Sequence, residues 1–238
     1  LNALWALYQA FGLDDATALV AIRRDAPLVR YWGVRLACDD VGFANHRATV
    51  GLVDSLGHLP NGPSQVSQTV LDGILAQSIV EPNAEVRAQM AGSARRLPAE
   101  HGLPLVKSLL VHDEDLDDTY VPLMCWWVLE SNLDRSRDAV LALFDDAEFR
   151  AEPMVVQHIL SRMMRALALK GKNHDLQQCA QLLELATDQE RVGQLLAGFE
   201  QAFAGRRMVG LPENLAAALV ESGRSSLELR VRLGDADA

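Results

Sequence analysis

The sequence predicts an all-α protein in which antiparallel helical hairpins stack into an α-α superhelix. Three observations carry this reading. Leucine occurs 38 times and isoleucine four times, a bias toward helices, because β-branched side chains lose χ1 freedom there and suit strands better. Apolar residues recur along nearly the whole chain with the 3.6-residue period of one helix face. Three helix starts also share a related pattern: Pro27-Leu28-Val29-Arg30, Glu85-Val86-Arg87 and Tyr120-Val121-Pro122.

Leu4, Leu7, Tyr8 and Phe11 share one face of a first helix, which Gly12 ends. Asp14 or Asp15 caps a second, with Ala16, Leu19 and Val20 turned inward. Asp25-Ala26-Pro27 opens a third, with Asp as the cap and Pro in the first turn, where a missing N–H costs nothing. Val29, Trp32 and Leu36 are its inner stripe. A further helix is expected from Asn45 to Gly57, broken by Pro60-Asn61-Gly62-Pro63. Ser64 then caps one carrying Val70, Leu71, Ile74 and Leu75, and Glu81-Pro82-Asn83 starts the next, with Val86, Met90, Ala94 and Leu97. Leu103, Val106, Leu109 and Leu110 mark a shorter helix.

After the acidic stretch from Asp113 to Asp118 comes the most apolar helix, with Val121, Met124, Cys125, Val128 and Leu129 on one face and Trp126 and Trp127 widening it. Val140, Leu143 and Phe144 fit another helix. Val156, Ile159, Leu160, Met163, Met164 and Leu167 fit a long one, stopped at Gly171. Cys179, Leu182, Leu183 and Ala186 follow, then Val192, Leu195, Leu196, Phe199 and Phe203. Pro212 starts a helix through Leu215 and Leu219, closed by Gly223. Leu227, Leu229, Val231 and Leu233 alternate as a strand would, but a lone strand has no partner here. An incomplete helix ending near Gly234-Asp235 is the expectation.

Val86 and Val121 lie 35 positions apart, the length of a helical-hairpin repeat, whereas Val29 and Val86 lie 57 apart, enough for a repeat with an added helix near Val66 to Ile79. The 238 residues are therefore expected to form one helical-repeat domain, with a sub-boundary near residues 60–63.

A net charge of −10 and a pI near 5.0 argue against nucleic acid as a partner, since phosphate binding needs clustered Lys and Arg. Cys38, Cys125 and Cys179 form no C-x-x-C or C-x-x-C-H, so zinc-ribbon, thioredoxin-like and covalent haem signatures are absent, and their spacing asks for no disulfide. No apolar run approaches the roughly 20 residues of a membrane span. The start lacks an initiator Met and lies inside a helical pattern, which predicts a fragment of a larger protein.

No motif points to catalysis, a cofactor or a metal. Asp113, Asp115 and Asp117 imitate the opening of a calcium loop, but Asp118 stands where Gly is required and Met124 where Glu should bind, so an acidic helix cap is expected. Histidines 46, 58, 101, 112, 158 and 174 include no i, i+4 pair. The interaction candidates are Trp126 and Trp127, His158, Arg162 and Arg165. The two tryptophans differ by about 100° around their helix, so one belongs to the core and the other to a groove wall or repeat contact. His158 precedes the Ile159 face and can reach a partner, although a hydrogen-bonded structural histidine is the expected role; Arg162 and Arg165, three apart on one face, can bind a carboxylate, but such arginines are more often solvated or paired with a neighbouring helix.

Asn2 to Leu7, Asp14-Asp15-Ala16, Val29-Arg30 and Val34-Arg35-Leu36-Ala37 follow a generic HEAT pattern. Two stretches are more specific, Pro122 to Glu130 and His158 to Arg165. Together they resemble the HEAT region of large secreted haem-binding proteins of planctomycete and verrucomicrobial bacteria, in which a dehydrogenase-like β-propeller typically precedes the helical repeats and a cytochrome c domain with C-x-x-C-H follows. The resemblance implies an extracytoplasmic redox protein in which this segment, itself without a cofactor, is a non-catalytic scaffold between the two. It transfers no functional residue to this chain. The alternatives are a stand-alone protein-binding HEAT module and a metal-dependent hydrolase built from dispersed His and Asp.

Overall fold

A computed structural model describes residues 1–39, 66–206, 208, 210–222 and 226–233, and among these the protein is all-α, with 14 α-helices and no strand. The expected helix from Asn45 to Gly57, the break and sub-boundary at residues 60–63, the Ser64 cap, and the stops at Gly223 and Gly234 lie outside the described residues. The chain divides into two compact units, Leu1–Leu143 and Phe144–Ala238.

The first unit holds α1 (Asn2–Phe11), α2 (Asp15–Ile22), α3 (Pro27–Ala37), α4 (Gln68–Val80), α5 (Ala84–Ala94), α6 (Ala99–Leu109), α7 (Val121–Asn132) and α8 (Arg137–Leu143). Short polar side chains start α2, α4 and α5, each accepting an otherwise orphaned N–H: Asp14 from Thr17, Ser67 from Val70, and Asn83 from Val86. Packing joins each helix to the next but one, and several to their neighbours. One row runs α1, α3, α5, α7 and the other α2, α4, α6, α8, with α2 on α3, α5 on α6 and α6 on α7 crossing between them. Val86, Met90, Ala94, Val106, Leu109, Val121, Cys125 and Leu129 line the seam, all fully buried. The valines, leucines and methionine among them each contribute about 1.5–3 kcal/mol by leaving water, before the entropy of ordering is set against it.

The first two helices depart from their sequence pattern. Leu4 packs with Ala21 and Leu36, and Tyr8 and Trp32 lie against that cluster. Leu7 stays exposed, however, and Phe11 is 80% exposed. Helix α1 has α3 as its main neighbour, so only part of its apolar face is covered. In α2 the buried residues are Ala18, Ala21 and Ile22, while Ala16 and Val20 face outward. Small residues here allow the close approach of α3, whose Gly33 would place a Cβ 2.9 Å from the Ala21 Cβ.

The second unit holds α9 (Ala147–Ala151), a π-helical turn (Val155–Ile159) running into α10 (Leu160–Lys170), α11 (Asn173–Glu184), α12 (Gln189–Phe203), α13 (Glu213–Glu221) and α14 (Leu227–Leu233). Helix α10 packs most extensively on α12, and α11 packs on α10, α12 and α13. At Gly198 of α12 a Cβ would fall 2.1 Å from the Ser161 carbonyl oxygen, so the two backbones touch where only hydrogen fits. Gly171 ends α10 with a φ of 64° and donates its N–H to the Leu167 carbonyl, the expected stop. The tail is helical despite its alternating pattern. Ser226 Oγ accepts the Leu229 N–H as a cap and Leu229 is buried, while Leu227 and Val231 remain exposed.

Candidate functional site

The Val-Arg pairs at the starts of α3 and α5 prove to be more than repeat markers. Arg30 Nε and Nη2 donate to the two carboxylate oxygens of Glu81 at 2.7 and 2.6 Å, and Nη1 donates to the Arg24 and Asp25 carbonyls at 2.8 Å each. Arg87 repeats the arrangement one hairpin later. Its Nε and Nη2 donate to Asp115 at 2.6 Å each, and its Nη1 donates to the Glu81 carbonyl at 2.6 Å. Glu81 thus receives one arginine on its side chain and the next on its backbone. Both carboxylates are sealed from solvent, Glu81 at 0% exposure and Asp115 at 1%. The rigid guanidinium fork matches both carboxylate oxygens at once, which lysine cannot do.

Burial pushes the Glu81 carboxyl up, but hydrogen bonds from Arg30, Gln77 and the Asn83 N–H outweigh this and hold it below the ordinary glutamate value. For Arg87, burial opposes the charge and Asp115 overcomes it, so the guanidinium is held above its usual range. In the third helix start Pro122 stands where the arginine would be. There Asp118 accepts the N–H groups of Tyr120 and Val121 at 2.7 and 2.8 Å, the capping role expected of the acidic stretch. Asp25, by contrast, is not the side-chain cap of α3. Ala26 is the N-cap, and the Asp25 carbonyl serves Arg30.

His112 ties the same turns further, with Nε2 2.7 Å from the Ser78 carbonyl and Nδ1 3.1 Å from Glu114. These charges answer one another, so the arrangement joins hairpins and presents no reactive group. Leu28, Ile79, Val80, Val111 and Tyr120 are exposed at helix ends and turns beside the ladder. The three cysteines are buried, and burial together with the Asp115 charge pushes the Cys125 thiol far up, away from reactive thiolate.

Trp126 and Trp127 part as the helix geometry requires, with Trp126 6% exposed in the core of the first unit and Trp127 41% exposed. His158, Arg162 and Arg165 lie together in the second unit, in and just after the π turn. The structure therefore groups three of the five candidates on one helix and leaves the tryptophans in the other unit. In the π turn the Leu160 N–H reaches back to the Val155 carbonyl, one residue further than an α-helix would. Arg162 folds back so that Nη1 donates to the His158 carbonyl at 2.6 Å. Its guanidinium is half-buried, and burial lowers its pKa. Arg165 is exposed.

An open cleft of about 350 Å³ lies among α11, α12 and α13, floored by Leu183, Val192 and Ala218 and rimmed by Glu184, Asp188 and Glu221. Asp188 is engaged there, capping α12 through the Arg191 N–H at 2.9 Å and pairing with the Arg191 side chain. Among the described residues no three His, Cys, Asp or Glu side chains group closely enough to hold a metal ion, and no helix is long and apolar enough to cross a membrane.

Sequence reasoning missed Glu81 and Asp115 as partners. The signal was present in the repeated Val-Arg, because an arginine recurring on a helix's inner face needs a buried acid. No family model matches the chain, and neither does any curated protein or any solved structure.

Proposed function

We propose that this chain is a non-catalytic, HEAT-like helical scaffold that holds other domains or proteins at a set spacing. The observation that carries this reading is the ladder from Arg30 through Glu81 and Arg87 to Asp115. Such pairs fix the register of one hairpin on the next, because a bidentate contact at both ends tolerates little sliding. The two rows of helices, each packed on the next but one, are what a solenoid of hairpins requires. The exposed apolar residues beside the ladder offer a surface for a neighbour. The wider role in this reading is the linking of a dehydrogenase-like propeller to a cytochrome c domain in an extracytoplasmic redox protein, and it rests on the resemblance of Pro122 to Glu130 and His158 to Arg165.

Two measurements test the reading. The flanking coding sequence should hold propeller repeats upstream and C-x-x-C-H downstream; a frame with neither removes the redox role. Native mass spectrometry of this chain with its separately expressed neighbours should show a one-to-one complex. Absence of any complex would count against the scaffold, and stoichiometric zinc or iron in the purified chain would favour a metal enzyme instead.

A further inference from the structure

Several arginines in this acidic chain find a carboxylate. Arg30, Arg87, Arg96 and Arg191 each do so within the fold. Arg162 and Arg165 do not: among the described residues no acid pairs with either. Arg165 is exposed to solvent. Arg162 is different, because it is half-buried and its one hydrogen bond runs to the His158 carbonyl, a neutral acceptor. Holding a guanidinium away from water without a counter-charge is costly, and the lowered pKa of Arg162, caused by burial with no acid to offset it, expresses that cost.

The local backbone explains how the group is held. The π turn alters the helical register just before α10, and Gly198 of α12 presses against the Ser161 carbonyl, pinning this stretch from the other side. Arg162 is thereby anchored through one nitrogen, leaving the rest of its planar fork in a defined place. Arg165 follows one turn later on the same face.

We propose that Arg162 and Arg165 form a seat for a carboxylate carried by an acidic segment of a protein partner. A pre-positioned fork loses little rotamer freedom on binding, and a planar carboxylate accepts two parallel N–H groups from it. Two arginines one turn apart match one side-chain carboxylate, or two at helical spacing on a partner. They fall far short of the row of cations that a nucleic acid or an anionic membrane requires. The inference names a partner class for the scaffold reading and rests on that reading only in taking the partner to be a protein.

The test is a titration of the whole chain, labelled with ¹⁵N, with a capped ten-residue peptide alternating glutamate and alanine. The Nε–H signals of Arg162 and Arg165 should shift saturably, and the glutamine version of the peptide should leave them unmoved. Arg165→Ala, at an exposed position, should weaken binding about tenfold with unchanged circular dichroism. Arg162→Lys, which keeps the charge and loses the fork, should weaken it at least as much. Unmoved arginine signals at millimolar peptide overturn the proposal, as does equal binding by Arg162→Lys. Saturable binding of free glutarate without the peptide would overturn the protein-partner assignment. Neither result depends on whether neighbouring domains bind, so the scaffold reading and this one can fail separately.

Discussion

The two units hold their helices in different ways. In the first, consecutive hairpins are joined at their turns by buried, bidentate ion pairs, Arg30 with Glu81 and Arg87 with Asp115. In the second, the dominant contact is steric: α12 lies on α10 because Gly198 leaves no side chain between two backbones, and rings pack edge to face at Phe144 and Phe149. Polar forks are directional and fix register, but they carry a desolvation penalty that only a complete set of partners offsets. Backbone contact fixes distance at almost no electrostatic cost and tolerates no added atom. The turns of the first unit should therefore be sensitive to charge and pH, and the α10–α12 contact of the second to volume.

All four tryptophans, at positions 5, 32, 126 and 127, lie in the first unit, so their fluorescence follows that unit alone while circular dichroism follows both. The largest expected effect is from Arg87→Ala, which strands the Asp115 carboxylate and should cost about 3–5 kcal/mol in the fluorescence-detected denaturation. The double change Arg87→Met with Asp115→Leu should recover much of the loss. If the single variant unfolds like the parent, the ladder is not holding the unit together.

Gly198→Ala should cost about 2–3 kcal/mol through overpacking against Ser161. This loss should appear in circular dichroism and leave the tryptophan transition in place. A shift in both probes would show that the units do not unfold separately.

Acid gives a smaller, graded effect. The folded-state pKa of Glu81 lies below its unfolded value, so its contribution is present above the ordinary glutamate range, about pH 4.3, and is lost as pH falls through the lower, folded value. Tryptophan-detected stability should fall across that window, and Glu81→Gln should be less stable at neutral pH with a flatter acid limb. An unchanged slope would remove Glu81 from the account. Smallest is Asn83→Ala, which removes the cap of α5 and should cost about 1 kcal/mol by the same probe, with no change in pH dependence.

Much of the helical architecture was legible because its causes are local. Periodicity located the seam residues of α5, α6 and α7, Asp14 and Gly171 were readable as punctuation, and Pro27 was readable as a helix start. The alternating tail was correctly read as helix, since a strand needs a partner and Ser226 supplies a cap. The candidate site was legible in part. Arg162 and Arg165 share a face by spacing alone, whereas the π turn over Val155–Ile159 just before them was not legible in the sequence. Leu7 and Phe11 show the converse, because an apolar face announces itself in sequence whether or not anything covers it.

The sequence by itself determined that the chain would be helical, where several described helices begin or end, and which stripe of many would shun water, because backbone hydrogen bonding and side-chain periodicity act within a few residues. Only the tertiary structure decided that Arg30 would meet an acid 51 positions away and Arg87 one 28 positions away, and that Arg162 would meet none among the described residues. Those outcomes depend on which helices become neighbours, and a charge is satisfied or left wanting by what comes within 3 Å of it, whatever stands beside it in the chain.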